Sequence, residues 1–256
     1  MVRAAGLTLF TIFLLTAQAV FVPSAKEYLR KRSQAFKQDS KARFGSNQKL
    51  EDSREIKVNE ILMMFKSREY DEGVNSEGVH FAAAGHFFHT RSLIEASNVF
   101  KIIRLLPKGA SLHQHDAVMP SVEWVARNLT YMEDLYVCVD SKDLLTFHFF
   151  DRRPADTCSD NKNWTLVADL RESASSMEFI DSWFARSMSM YTPTPDVDYP
   201  SIGQVWKAFE EKITTVGGVA NYEPALRRHF YQTMQELYDD NVMYFEERGL
   251  LADVIK

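Results

Sequence analysis

The stretch Ala110-Ser111-Leu112-His113-Gln114-His115-Asp116 decides how this chain is read. It follows Pro107, which stops the helical run before it, and Lys108-Gly109, and it has the length of a short strand. Side chains alternate across a strand, so His113 and His115 present two imidazoles to one face. Neutral imidazole is a good zinc ligand, and a catalytic zinc takes about three protein ligands with one position left for water. Two histidines are thus part of such a site at most. By itself the triplet reads first as a pair of surface or core histidines and only second as metal ligands, and Asp116 first as a cap for the turn after the strand and second as a ligand contact. Position adds to the metal reading, because strand C-termini are where a (β/α)8 barrel builds its sites.

Working outward, the segment from Ala25 to about Glu72 is polar and helical, with Val58, Ile61, Leu62 and Phe65 in one narrow apolar stripe. Such a stripe must be buried on its own domain or on another subunit, which makes the segment a candidate dimer arm. Gly73 to Gly78 reads as a turn, and a second helix is expected from about Phe87 to Leu106. Between about Asn128 and Pro200 the pattern changes to short aromatic-rich pieces with several prolines, as in an inserted subdomain. Periodicity returns at Ser201-Ile202-Gly203-Gln204, a capping-box pattern, followed by Ile202, Val205, Trp206, Phe209 and Ile213 on one helical face. Gly217-Gly218 is expected to break that helix. A further helix follows from about Pro224, and Asn241 to Arg248 reads as a strand. Strand, insertion, helix, helix and strand in that order fit the start of an α/β fold with parallel strands.

At 256 residues, 45% of them hydrophobic and 25% charged, the chain can bury one large core or two small ones. A net charge of −5 gives no reason to expect nucleic-acid binding, which needs a basic face. The basic cluster from Lys26 to Arg43 reads most simply as a solvated helix face.

Met1 to Ala19 has the parts of a secretory leader: Arg3, the apolar run Leu7 to Leu15, and Ala17-Gln18-Ala19 before an expected cleavage. The competing reading is an uncleaved anchor from Ala4 to Val22. Secretion without stable membrane insertion places Cys138 and Cys158 in an oxidising compartment, where a disulfide is expected, with two buried thiols as the alternative. That bridge would help most in a region with little core of its own. Asn128-Leu129-Thr130 and Asn163-Trp164-Thr165 are glycosylation sequons.

Several runs share a pattern with one family. Ser97-Asn98-Val99-Phe100, Ile102-Ile103-Arg104, Pro107-Lys108-Gly109, Leu112-His113 and His115-Asp116 resemble the signature that opens the barrel in adenosine deaminase-related growth factors, the secreted adenosine deaminases. Trp124, Arg127-Asn128 and Thr130-Tyr131 continue the likeness, as do Trp206, Phe209 and Glu210. Met234-Gln235-Glu236, Tyr238, Asp240-Asn241-Val242, Tyr244, Glu246 and Arg248 resemble the family's next helix and second strand. The resemblance implies the N-terminal part of a (β/α)8 TIM-type barrel, preceded by a helical arm and carrying a disulfide-bonded, receptor-binding insertion.

On that basis residues 1–19 would be the leader and 20–106 a dimerisation region. Residues 107–127 would hold the first barrel strand, 128–200 the insertion, and 201–256 barrel helices with the second strand. The resemblance further implies that His113 and His115 ligate zinc (Zn), that Asp116 contacts the nucleoside, and that Trp206 and Glu210 line its ribose side. Bottom-up, Trp206 and Glu210 share a helix face, but core packing is the commoner role for Trp206. The implied reaction is hydrolytic conversion of adenosine to inosine by zinc-activated water, with a glutamate shuttling protons.

The family also needs a histidine followed three residues later by that glutamate, a further histidine, and a late Asp-Asp pair. None of the seven histidines has glutamate at that spacing, and Asp239-Asp240 falls too early. The expectation is an incomplete barrel whose general acid/base lies beyond residue 256. A second function of another class stays open: a non-catalytic secreted module that dimerises or binds a cell-surface receptor or glycan.

Overall fold

The computed structural model describes residues 24–43, 45–46, 48–75 and 81–249. The expected leader lies outside them. The chain divides into two compact units at Val58/Asn59. The first contains α1 (Ala25–Ala42), capped by Ser24, whose Oγ accepts from the Glu27 amide at 3.2 Å. Helix α2 (Ser53–Asn75) starts in that unit and continues in the second.

The expected turn at Gly73 is corrected, because α2 runs through it to Asn75. A Cβ at Gly73 would lie 2.9 Å from the Phe81 ring, so the glycine is there for close packing. The single helix expected over Phe87–Leu106 is instead two, α3 (Phe87–Ala96) and α4 (Asn98–Ile103). Ser97 breaks it with extended backbone, and its Oγ caps α4 by accepting from Phe100 N at 3.0 Å. Glu69 of α2 completes that cap: its Oε1 accepts from Asn98 N at 2.7 Å and its Oε2 from Ser97 Oγ at 2.6 Å.

Strand β1 (Lys108–His115) pairs in parallel with β5 (Val242–Arg248). Lys108 ties their starts together, its Nζ donating to Asp240 O at 2.7 Å and Arg104 O at 3.1 Å. Between the two strands come α5 (Val122–Asn128), then β2 (Leu135–Val139), β3 (Leu145–Phe149) and β4 (Thr165–Leu166). These three strands form an antiparallel sheet in the order β3-β2-β4. They are followed by α6 (Val167–Ser173), α7 (Met177–Met188), the short α8 (Pro195–Asp198), α9 (Ile202–Ala220) and α10 (Glu223–Asp239). The architecture is mixed α/β with one small parallel pair.

The region containing the disulfide has more core than expected. Leu135 and Val137 of β2, and Leu145 and Phe147 of β3, alternate onto one face and are buried against Val125, Ile180, Phe184 and Val219 from α5, α7 and α9. The Phe147 and Phe184 rings meet edge to face at 5.0 Å. A buried ion pair stitches the helices: Arg171 Nη2 donates to Asp181 Oδ1 at 2.8 Å, and Arg171 Nη1 to Thr130 O at 2.6 Å. The guanidinium also stacks 3.7 Å over Tyr131. Cys138, on the other face of β2, is bonded to Cys158.

Gly217-Gly218 does not break α9. Gly218 lies directly under β3, where a Cβ would come within 2.4 Å of Phe147 O, and Thr215 Oγ1 donates to Leu145 O at 2.9 Å. The glycine serves a close helix-to-strand approach. No helix among the described residues is long and apolar enough to cross a membrane.

Candidate metal centre

His113 and His115 end β1 on its exposed side. Their Nε2 atoms are 3.3 Å apart, with ring centroids 5.1 Å apart and the planes tilted by 57°. A β-bulge falls in the same stretch: Ser111 pairs with Phe245 and Gln114 with Glu247, so β1 spends one more residue than β5 over that step. Bulges re-aim side chains and increase twist, and this one sits at the histidines. Arg248 Nη2 steadies it by donating to Leu112 O at 3.2 Å. Gln114 alternates to the other face, where its Oε1 is buried with no hydrogen-bond partner among the described residues.

Asp116 opens the 3-10 turn Asp116–Val118, directly after His115 in the chain. That carboxylate lies against the end of β5, since a Cβ on Gly249 would be 2.8 Å from Asp116 Oδ2. Glu247, one strand over, is its electrostatic neighbour. Burial first, and then the negative charge of Asp116, push the Glu247 carboxyl above its ordinary value. Neither this neighbourhood nor the bulge is legible in the sequence, because register is a property of two strands and not of either alone.

Helix α9 packs against the same Asp116–Val118 turn. Ser201 caps it, accepting from Gln204 N at 3.4 Å; the expected capping box is altered, since Ser201 Oγ donates to Gln204 Oε1 at 2.8 Å. Trp206 is 58% exposed and touches Phe209 edge to face at 5.8 Å, so core packing is not its role among the described residues. Glu210 is also exposed, and its carbonyl accepts from Thr214 Oγ1 at 2.9 Å. No hydrogen bond joins Trp206 or Glu210 to the strand histidines among the described residues.

The donor set suits zinc as far as it goes. Two nitrogens each about 2.05 Å from a tetrahedral zinc stand about 3.3 Å apart, which is the spacing of the two Nε2 atoms. Among the described residues no group of three histidine, cysteine, aspartate or glutamate side chains is arranged to hold a metal. What the described residues present is a pair of imidazole nitrogens at the end of β1.

Of the two sequons, Asn163 is exposed just ahead of β4 and Thr165 is exposed as its first residue. Asn128 donates from Nδ2 to Trp124 O at 2.9 Å, and its Thr130 is buried under Arg171.

The chain is similar in sequence to known proteins. Residues 7–103 match the family model described as Adenosine/AMP deaminase N-terminal. The chain is 35% identical over 245 residues to adenosine deaminase 2 of Pongo abelii, a match covering 94% of this chain and 47% of that protein. It is 38% identical over 177 residues to adenosine deaminase 2-A of Danio rerio, covering 68% of the chain and 35% of that relative. Adenosine deaminase of Aedes albopictus is 30% identical over 234 residues, or 91% of the chain and 42% of the relative. The chain thus spans less than half the length of these curated relatives, and the longest match necessarily takes in the central stretch with His113, His115 and Asp116.

Proposed function

The chain belongs to the family of adenosine deaminase-related growth factors, with adenosine deaminase 2 among its relatives, and on that premise we propose that it supplies the opening part of a secreted, zinc-dependent adenosine deaminase. The observation that carries the reading is the convergence of His113 Nε2 and His115 Nε2 at 3.3 Å on the last residues of β1. These two side chains would hold the zinc. When bound, the metal supplies the Lewis-acid charge that turns water into a nucleophile at neutral pH.

The chain's own residues position the reaction. The bulge in β1 would aim the imidazoles, and Arg248 holds the bulge carbonyl. Asp116, pressed against Gly249, would accept a hydrogen bond from the nucleoside. Trp206 and Glu210, on the exposed face of α9, would cover the ribose side. β1 and β5 would be the first two strands of a (β/α)8 barrel, with the antiparallel sheet and its helices as the insertion between them. Of the apolar stripe on α2, Val58 and Ile61 are exposed among the described residues, which supports a dimer contact through the N-terminal helices. The insertion, carrying Asn163 and the disulfide, would face a receptor or glycan.

The test is to sequence the transcript beyond the Lys256 codon and assay the encoded protein for adenosine-to-inosine conversion. A histidine followed three residues later by glutamate, with chelator-sensitive turnover, is expected. An encoded product that lacks that pair and shows no turnover would overturn the reading.

A further inference from the structure

Adjacent basic residues occur at three places among the described residues: Arg30-Lys31-Arg32 in α1, Arg152-Arg153 after β3, and Arg227-Arg228 in α10. Their surroundings differ. Helix α1 buries none of its residues, and its largest apolar side chains, Tyr28, Leu29 and Phe36, are all more than half exposed. The three cations meet partners one turn along the same helix: Arg30 with Gln34 at 3.1 Å, Lys31 with Glu27 at 3.0 Å, and Arg32 over the Phe36 ring at 5.0 Å. A helix with no packed face is held by its own turn-to-turn contacts alone, and at 18 residues that hold is marginal. Opening it presents Arg30-Lys31-Arg32-Ser33 as an extended segment, with paired cations ahead of a small residue.

Each of the other two pairs lacks a requirement. Arg152-Arg153 is exposed but precedes Pro154, whose ring obstructs the bond after Arg153 to an endoprotease. Arg227-Arg228 sits in a helix anchored on either side by Ala225 and His229, both 0% exposed, so it opens only with the core around it.

We infer that the Arg32–Ser33 bond is a processing site for a secretory-pathway serine endoprotease whose acidic pockets take paired basic side chains. Water adds across the peptide bond, Arg32 keeps a new carboxylate, Ser33 gains a new amino group, and no other reactant is needed. The part of α1 removed carries Lys26, Arg30, Lys31 and Arg32 against Glu27 alone, and it takes the Ser24 cap with it. What is left, residues 33–42, is too short to stay helical by itself. Helix α2, which begins at Ser53, is left whole. The inference rests on the proposal above only for the chain's passage through the secretory pathway, and it is independent of the zinc chemistry.

The experiment digests the purified 256-residue chain with a subtilisin-like protease that cuts after Lys-Arg and Arg-Arg, and maps the new N-termini by mass spectrometry. A synthetic peptide of residues 25–42 gives the rate at the fully open site. Cleavage after Arg32 should come first and run within about tenfold of the peptide, with Arg228 cut at least about a thousandfold more slowly. Lys31→Gln/Arg32→Gln should abolish that cut, and Arg227→Gln/Arg228→Gln should leave it unchanged. Glutamine keeps helix propensity, and far-UV circular dichroism checks that both variants fold. Secreted from cells, the chain should begin at Ser33. First cutting after Arg153 or Arg228, a rate after Arg32 more than about tenfold below the peptide's, or a secreted chain that retains residues 25–32 would each overturn the inference. If no chain reaches the medium, the leader assignment fails and the digest alone decides.

Discussion

Gly218 of α9 sits against Phe147 of β3 so closely that a Cβ on the glycine would lie 2.4 Å from the phenylalanine carbonyl oxygen. The neighbouring Gly217 has nothing within 4 Å of its own Cβ position. The two glycines therefore predict opposite results. Gly218→Ala forces helix from strand and should destabilise by about 1–3 kcal/mol. Gly217→Ala removes backbone freedom from a helix at no steric cost and should stabilise by about 0.5–1 kcal/mol. Urea unfolding of the two single variants checks both signs.

Glu69 predicts an acid-sensitive junction between α2 and α4. Partial burial raises its carboxyl pKa, but hydrogen bonds from Ser97, Val99 and Asn98 outweigh that and hold it below 4.5. A carboxyl whose folded pKa is depressed stabilises the fold above its unfolded value, and loses that contribution as pH falls through the folded one. Stability should therefore drop on acidification below about pH 4.5. Glu69→Gln should cost about 1 kcal/mol at neutral pH and flatten that part of the acid profile. Amide exchange at Asn98 and Val99, followed against pH, reads the junction directly.

The pair Arg171 and Asp181, each 6% exposed, predicts a large loss on single truncation. Arg171→Ala leaves the buried Asp181 charge with only the Tyr131 hydroxyl as partner and takes the guanidinium from Thr130 O, and should destabilise by about 3–5 kcal/mol. Arg171→Met combined with Asp181→Leu removes both charges and should cost less than the single change. Thermal unfolding of the three proteins orders them.

The Cys138–Cys158 bridge closes a loop with a sequence separation of 20, for which chain entropy gives about 3 kcal/mol. The double change to alanine should lower stability by about that amount while leaving the Leu135–Phe147–Phe184 core folded. Loss of near-ultraviolet dichroism from that core at room temperature would contradict this.

Much of the architecture was legible because it is local. Pro107 as the stop ahead of β1, Ser201 as a cap, and Pro224 in a first turn each act within a few residues, and each is found where sequence placed it. What was not legible depends on partners far away in the chain. Gly73 and Gly217-Gly218 read as breakers until Phe81 and Phe147 are seen beside two of them. Ser97 splits a periodic run because Glu69, 28 residues earlier, accepts its hydroxyl proton. Trp206 lies on a periodic apolar stripe, yet its half of α9 is exposed, since periodicity names a face and not what covers it. At the candidate site the histidine pair and Asp116 came from sequence, while the bulge, Arg248, Glu247 and Gly249 needed both strands in register.

The central claim is that His113 and His115 bind one metal ion together, and zinc titration of the 256-residue chain followed by imidazole NMR tests it most directly. Both rings should respond saturably with a single midpoint through Nε2, and His115→Asn should abolish the response of His113. Separate midpoints, or a His113 signal that ignores the loss of His115, would contradict a shared ion.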